Sequence, residues 1–228
     1  MHRQIVLDTE TTGLDPKNGD RIVEIGCVEL HNFVPTGKTF HSYLNPQREV
    51  RAEATAVTGL TYEFLKDYPL FSEVAMDFLA FIGEAPLVIH NAAFDVKFLN
   101  AELARLSLPI LEIDRAVDTL ALARRLFPGT PANLDALCHR FNIDTSQRTL
   151  HGALLDCTLL AEVYLHLMGG KQANLALENT MGSIVVPVSS KKQYPLRVFS
   201  PSTEERAAHK VFCMTLTDPL WQQYEGKA

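Results

Sequence analysis

The stretch IVLDTETTGL (residues 5–14) places three apolar residues directly before two carboxylates, Asp8 and Glu10. The apolar start predicts a buried strand. Alternate side chains of a strand point to the same face, so both carboxylates project together, with their backbones about 7 Å apart. Two such charges repel each other unless a cation or good solvation compensates them. The stretch therefore predicts a buried strand that ends in an acidic pair.

The remainder of residues 1–168 alternates between strand and helix patterns. The predicted strands cover residues 3–9, 21–31, 38–46 and 86–91. The predicted helices cover residues 71–83, 94–106, 117–127 (which starts at a strand end), 133–141 with Asn133 as N-cap, and 152–167. A short connection through Thr36 and Gly37 makes the second and third strands an antiparallel pair. This order predicts an α/β fold, a mixed sheet with helices packed on it.

The pattern changes after Gly169 and Gly170. Residues 186–195 are rich in proline, serine and lysine, which is typical of a linker. Residues 203–216 predict a short helix with Thr203 as its N-cap. We expect a compact domain, a linker and a largely extended tail, which cover residues 1–168, 169–195 and 196–228.

The composition is that of a globular protein. Of the 228 residues 46% are apolar, and no apolar run approaches the roughly 18 residues that a membrane span needs. Only one short apolar run, residues 5–7, precedes Asp8, so we expect no signal peptide. The four cysteines are far apart and form no CxxC pair. We expect reduced thiols in a cytoplasmic protein that does not contact a membrane, rather than a disulfide framework or a zinc site.

Charge is unevenly distributed along the chain. Residues 1–168 hold 14 lysines and arginines against 22 aspartates and glutamates, whereas residues 169–228 hold 7 against 5. The predicted domain is therefore acidic and lacks the broad basic surface of an autonomous nucleic-acid-binding protein. If it acts on a polyanion, bound cations or a partner protein must help it.

Two further carboxylates lie on predicted helices. Asp95 falls in the first turn of its helix among apolar neighbours. Asp156 falls beside an apolar stripe, where an unpaired charge is costly. His151 precedes Asp156 by five residues, so the two converge only if His151 lies in the loop before the helix, where Gly152 gives freedom.

Four carboxylates without a fixed basic neighbour favour hard divalent cations with oxygen ligands over zinc. Two such ions hold the attacking and leaving oxygens of a phosphodiester, and a nearby histidine such as His151 takes the proton of the attacking water. Each acid also has a structural alternative. Asp8 and Glu10 would be surface acids at a strand end, Asp95 would complement the helix dipole, and Asp156 would face solvent.

Three segments in this order resemble the motifs of the DEDD-type 3′–5′ exonucleases, in the subgroup whose third motif carries histidine. They are DTETTGL (8–14), HNAAFDVKFL (90–99) and LHGALLDCTLLAEVY (150–164). The segments VTGLTYEFLKDYPLF, VDTLALARRLFPG and NLDALCHRFNID are further similar to the proofreading epsilon subunits of bacterial DNA polymerase III. The resemblance implies a ribonuclease H-like fold with a five-stranded mixed sheet and flanking helices.

The resemblance also implies roles for individual residues. Two divalent cations, Mg²⁺ or Mn²⁺, would bind. Asp8, Glu10 and Asp156 would hold the first, and Asp8 would hold the second together with Asp95, which would act through a water molecule. His151 would be the general base. The terminal nucleotide would contact Thr9, Leu14, Thr58, His90, Asn91 and Phe94. The family favours histidine at the position of Thr58, so a histidine-specific contact is not expected there. The structural alternatives are a turn residue packed on its own domain for Leu14, a helix cap for Asn91 and a core residue for Phe94.

The implied reaction is hydrolysis of the last phosphodiester at a DNA 3′ end, which releases a deoxynucleoside monophosphate. A mispaired end frays more easily than a paired one and reaches a single-strand cleft more often. Selectivity for errors would therefore come from fraying and not from reading the base.

The tail carries two groups of candidate binding residues. Gln172, Leu175 and Leu177, within residues 172–177, resemble the short peptide with which bacterial replication proteins bind the sliding clamp (beta). The apolar residues of the far tail resemble the segment of a proofreading subunit that binds the polymerase catalytic (alpha) subunit; they include Val198, Phe199, Phe212, Leu220 and Trp221. The alternatives are an ordinary linker and a C-terminal segment folded back on the nuclease domain.

Two other functions remain open from the sequence. The same motifs would serve an independent 3′–5′ exonuclease acting on RNA or small oligonucleotides. The other alternative is a non-catalytic scaffold between polymerase and clamp, and the intact carboxylate set argues against it.

Overall fold

The computed structural model describes residues 3–146, 148, 150–169 and 200–217. The chain divides into two units, residues 1–175 and 176–228. The predicted clamp-binding residues Gln172, Leu175 and Leu177 lie outside the described residues, as do Val198, Phe199, Leu220 and Trp221 of the tail. The predictions for these residues therefore stay predictions.

The first unit contains a mixed five-stranded sheet in the order β3-β2-β1-β4-β5. Strands β1, β2 and β3 are antiparallel neighbours, while β4 and β5 run parallel to β1. The strands are β1 (Arg3–Thr11), β2 (Ile22–His31), β3 (Val34–Tyr43), β4 (Leu87–Ile89) and β5 (Ala116–Asp118). The helices are α1 (Ala52–Thr58), α2 (Tyr62–Leu65), α3 (Phe71–Ile82), α4 (Ala92–Arg105), α5 (Thr119–Leu126), α6 (Leu134–Phe141) and α7 (Ala153–Leu167). The predicted α/β fold with flanking helices is confirmed.

Strand β1 is buried on both faces because it is the central strand of the sheet. Ile5 and Leu7 pack into a core with α3 and α4, whereas Val6 points to the opposite core with α5, α6 and α7. Side chains alternate along a strand, so Asp8 and Glu10 continue the face of Val6. The sheet thus directs both carboxylates towards α7.

Glycine at position 26 allows α7 to approach the sheet. Gly26 lies opposite Asp8 in the β1–β2 register. A Cβ atom there would lie 2.4 Å from the carbonyl carbon of Ala153, at the start of α7. Cys157 of the same helix donates a hydrogen bond from its thiol to the Gly26 carbonyl at 3.1 Å. This close approach brings the first turn of α7 to the acidic end of β1.

The hairpin between β2 and β3 differs from the prediction. The turn lies at Asn32 and Phe33, which both have positive φ (51° and 67°). Thr36 and Gly37 lie inside β3 instead, so the predicted connection is wrong. Paired positive φ values match the twist of a tight hairpin, which normally selects glycine or asparagine. Gly37 favours a turn at residues 36–37 in the sequence, whereas the observed turn uses Asn32.

The second unit contains one described helix, α8 (Thr203–Met214). Its N-cap is Ser202, whose side chain accepts from the Glu205 amide while Glu205 accepts from the Ser202 amide. The prediction of Thr203 as N-cap is wrong by one residue, because this reciprocal pair requires Glu205 three residues after the cap.

Among the described residues, no helix is long and apolar enough to cross a membrane.

Candidate active site

Three elements converge at the acidic end of β1. Strand β1 supplies Asp8 and Glu10, α4 supplies Asp95, and α7 supplies Asp156. Both helical carboxylates are buried, Asp95 to 3% exposure and Asp156 to 4%. Burial excludes the solvent-facing alternative for Asp156. Asp95 does lie in the first turn of α4, where its charge also complements the helix dipole. The structure brings the four predicted carboxylates into one electrostatically interacting cluster.

Asp95 is held by the residue between the two β1 acids. Its Oδ1 atom accepts hydrogen bonds from the Thr9 amide at 3.0 Å and from the Thr9 hydroxyl at 2.7 Å. Thr9 is itself buried. One carboxylate oxygen of Asp95 is thus fixed by β1, and the orientation of the other follows from it.

His151 lies in the loop before α7, as its convergence with Asp156 requires. Gly152 is the extended N-cap residue of the helix. His151 Nδ1 lies 3.4 Å from Asp156 Oδ2, and the His151 side chain is 43% exposed. Glu10, His151 and Asp156 offer ligand atoms that all lie within 4.8 Å of one another. The imidazole therefore borders the carboxylate cluster and faces solvent.

Arg148 contradicts the expectation that the cluster has no fixed basic neighbour. Its Nε and Nη2 atoms donate to the two oxygens of Asp156 at 2.5 and 2.7 Å. Nη2 also lies 2.9 Å from Nδ1 of His151, and Nη1 pairs with Asp135 of α6. No sequence pattern predicts this contact, because Arg148 lies in a loop without periodicity.

The ionisation of the cluster is shifted by burial and by like charge. Burial, followed by the carboxylates of Asp95, Glu10 and Asp156, raises the pKa of Asp8 well above its usual range. Burial and Asp156 raise the pKa of Glu10 to about 8, although Arg148 opposes the shift. Burial also raises the pKa of Asp95 to about 7 against the hydrogen bonds from Thr9. One arginine does not balance these acids, so the cluster still favours an added cation.

A fifth carboxylate lies behind the cluster. Glu24 of β2 is buried and is the register partner of Glu10. Its Oε1 atom lies 2.7 Å from Nε2 of His41, and its charge contributes to the raised pKa of both Asp8 and Glu10. A glutamate inside the apolar strand pattern of residues 21–31 was the available signal for this residue.

A cleft of about 420 Å³ begins at the cluster. Its wall includes four of the predicted substrate contacts, which are Thr9, Leu14, Thr58 and Phe94. Leu14 is 80% exposed, so it is not packed on its own domain. The hydroxyl of Thr58 donates to the Ala54 carbonyl and accepts from the Leu60 amide. Thr58 therefore offers the cleft mainly its methyl group.

His90 and Asn91 are engaged with β5 and the start of α5. His90 Nδ1 lies 2.9 Å from the Thr119 hydroxyl, and burial lowers the pKa of His90. Asn91 is the left-handed N-cap residue of α4, without a hydrogen bond from its side chain to the helix. Its amide donates to Asp118 at 3.2 Å. These contacts position the start of α4 and thus Asp95.

Comparison with known proteins identifies the family. The family model described as Exonuclease matches residues 5–164. The chain belongs to this exonuclease family. The DNA polymerase III subunit epsilon of Rickettsia conorii is 50% identical over 217 residues, which cover 92% of this chain and 94% of that protein. The corresponding Escherichia coli subunit is 46% identical over 221 residues, covering 91% and 90%.

Solved exonucleases share the fold. Exonuclease X, determined in complex with 5′ overhanging duplex DNA, matches with a TM-score of 0.58 and 27% identity, and the match covers 72% of this chain and 90% of that one. The three-motif resemblance to 3′–5′ exonucleases and to the epsilon subunits is therefore confirmed. This exonuclease is a phosphodiester hydrolase, and the scaffold alternative is excluded.

The raised pKa values make the metal-free exonuclease less stable as pH rises. Between about pH 4 and pH 8 the folded acids Glu10 and Asp95 hold protons that the unfolded chain has released, so the free energy of unfolding falls with increasing pH. We expect a lower melting temperature in EDTA at about pH 8.5 than at about pH 5.5. Added Mn²⁺ should raise the melting temperature more at the higher pH, because cations bind deprotonated carboxylates. A melting temperature in EDTA that rises over this range would contradict the assignment.

Proposed function

We propose that this exonuclease is the proofreading subunit of a bacterial replicative DNA polymerase and removes mispaired nucleotides from DNA 3′ ends in the cytoplasm. The observation that carries the proposal is the connection of the carboxylate cluster to a cleft with exposed Leu14 in its wall. The identity of 46–50% to epsilon subunits supports the same conclusion. An acidic chain of net charge −6 is consistent with a nuclease that its partners hold on DNA.

The residues of the cluster fit two divalent cations. Carboxylate oxygens are the ligands that Mg²⁺ and Mn²⁺ prefer, and the raised pKa values indicate a deficit of positive charge. We assign one cation to Asp8, Glu10 and Asp156, and a second to Asp8 with Asp95. When bound, these ions neutralise the carboxylates and the phosphate and favour attack by water.

Protein side chains provide the general base, the orientation of Asp95 and the apolar contact surface. His151, exposed beside Asp156, takes the proton of the attacking water. Thr9 orients Asp95 through two hydrogen bonds. Leu14 and Phe94 provide apolar surface against the terminal base and sugar.

Selectivity for mispaired ends follows from the cleft. A cleft of about 420 Å³ has the size of a site for a single terminal nucleotide. A mispaired end unstacks at lower cost than a paired one, so it enters more often. No residue has to recognise the mismatch itself.

The tail supplies the partners in this proposal. We assign residues 172–177 to the sliding clamp (beta) and residues 196–228 to the polymerase catalytic (alpha) subunit. Of the proposed polymerase contacts, Phe212 lies on α8 and is 60% exposed. An exposed aromatic residue of this kind is available for a partner. Tethering would give the nuclease a high effective concentration at the primer end.

The proposal is tested by comparing three substrates with Mg²⁺ or Mn²⁺: matched DNA, DNA with a 3′ mismatch, and RNA. We expect mismatched DNA to be hydrolysed faster than matched DNA because its end frays. A strong preference for RNA would instead favour the independent exonuclease.

A second experiment tests the tail: the full chain and residues 1–177 are each co-purified with the polymerase catalytic subunit. Binding that survives the truncation would reject the tail as the main anchor.

A further inference from the structure

The cleft beside the cluster has an unbalanced set of charges. Its described wall includes the acids Glu10, Asp15, Asp20 and Glu53, and Arg51 is the only cation among the described residues that line it. Lys97, outside this wall, pairs with Asp15 at 2.7 Å, but a nucleic acid strand carries one negative charge per linkage and needs a cation in the wall itself. Arg51 is therefore the group in this wall that has the charge to attract a phosphate.

Arg51 is held in place by a buried carboxylate. Its Nε atom lies 3.2 Å from Oδ1 of Asp20, which is 1% exposed, and its amide donates to the Thr12 carbonyl at 3.3 Å. Arg48 Nη1 lies 3.3 Å from the same Asp20 oxygen. Two guanidinium groups on one carboxylate leave a net positive charge. The Arg51 side chain is 48% exposed, so donors remain available to a ligand.

The same carboxylate organises the loop that carries Leu14. Asp20 Oδ2 accepts from the Asp15 amide at 3.2 Å, and Oδ1 accepts from the Thr12 hydroxyl at 3.3 Å. A Cβ atom on Gly13 would lie 2.5 Å from Asp20 Oδ2, so the loop is closely packed against this side chain. Asp20 thus fixes a cation and an apolar residue relative to each other in one cleft.

Arg51 and Arg148 serve different parts of the site. Arg148 pairs with Asp156 and lowers the pKa of Glu10, so it belongs to the carboxylate cluster where the bond is cut. Arg51 is paired with Asp20, beside the loop of Leu14. A phosphate that paired with Arg51 would lie beside the loop of Leu14 and not at the ion pair of Arg148 with Asp156, which is the position expected of an internal phosphate of the strand.

We propose that Arg51, seated by Asp20, binds a non-bridging oxygen of one internal phosphate near the 3′ end of the strand. This inference rests on the proposed function and names a further binding residue for it. A guanidinium suits a phosphate because its planar donors match the oxygens and its charge persists at all relevant pH values. Leu14 and Arg51 would then hold the terminal nucleotide and the strand behind it.

The test compares the wild-type full chain with Arg51→Gln and with Arg125→Gln, an exposed arginine on α5 as the matched control. The substrate is a single-stranded DNA oligonucleotide with Mn²⁺. For Arg51→Gln we expect KM to rise about tenfold with kcat nearly unchanged, since a charge-assisted hydrogen bond is lost. The slope of log(kcat/KM) against log salt should become shallower by about 0.7, the value for one phosphate contact on a single strand.

A neutral methylphosphonate placed at each of the last few linkages in turn then locates the contact. At one internal linkage the substitution should raise the KM of the wild type about tenfold and leave that of Arg51→Gln unchanged. Arg51→Lys should recover part of the affinity, because it restores the charge but not the planar donors. If Arg51 had only a structural role, the difference in KM between the wild type and Arg51→Gln would be the same at every position of the neutral linkage.

The outcomes separate this inference from the proposed function. If Arg51→Gln matches the wild type in KM and salt dependence, or remains as sensitive as the wild type to every neutral linkage, Arg51 does not bind a phosphate and the proposed function stands. If the wild type does not hydrolyse DNA 3′ ends, both are overturned.

Discussion

Replacement of Asp8 by asparagine is expected to lower kcat for hydrolysis at DNA 3′ ends by at least about a thousandfold, the consequence of losing several kcal/mol of charge stabilisation. Asp8 is the carboxylate that we assign to both cations. Asparagine keeps the shape of the side chain but removes its charge. Activity is measured on a single-stranded DNA with a labelled 5′ end, with Mg²⁺ and with Mn²⁺.

The variant has a second expected property, which separates loss of the site from loss of the fold. Burial and the neighbouring carboxylates disfavour the ionised form of Asp8, so a neutral side chain at this position removes an unfavourable charge from the metal-free protein. We expect Asp8→Asn to have an equal or higher melting temperature in EDTA at about pH 8, and a smaller increase on adding Mn²⁺. Asp114→Asn, at an exposed position, should match the wild type. Retention of even a tenth of the activity would mean that Asp8 is not a metal ligand.

The fold followed from local patterns where those patterns were strong. The apolar run before Asp8 and the stripe around Asp156 identified β1 and α7, because buried elements need continuous apolar faces. The hairpin at Asn32 and Phe33 was missed because phenylalanine seldom adopts a positive φ. The pairing of β2 with β3 sets the backbone conformation of this turn, and turn preferences of single residues do not reveal that pairing.

The site likewise contains residues that sequence patterns predict and residues that they do not. The four carboxylates and His151 were found because their motifs combine charge with an apolar context. Arg148 and the pairing of Asp20 with Arg51 were missed, since a loop arginine carries no periodic signal of its own. Their roles arise from tertiary contacts that join residues 8 and 31 positions apart. Counter-charges of a buried acid are therefore the part of a site that a single sequence defines least.

Replacement of His151 by glutamine is the second large effect that we expect. Glutamine still accepts a hydrogen bond from Arg148 but does not take a proton at neutral pH. The loss of a general base lowers kcat by about 10²–10⁴-fold, and KM should change little. His139→Gln, on the exposed face of α6, is the matched control and should retain full activity.

The geometry of His151 allows a second role, and the same variant distinguishes the two. His151 offers a nitrogen within 4.8 Å of the ligand atoms of Glu10 and Asp156, so it has the position of a metal ligand as well as that of a base. A base acts after the cation is bound, and its loss leaves the affinity for Mn²⁺ nearly unchanged. A ligand contributes to binding, and excess Mn²⁺ would then restore activity to His151→Gln. We expect calorimetry to give a similar Mn²⁺ affinity for both proteins, and rescue by excess Mn²⁺ would reject the general-base role.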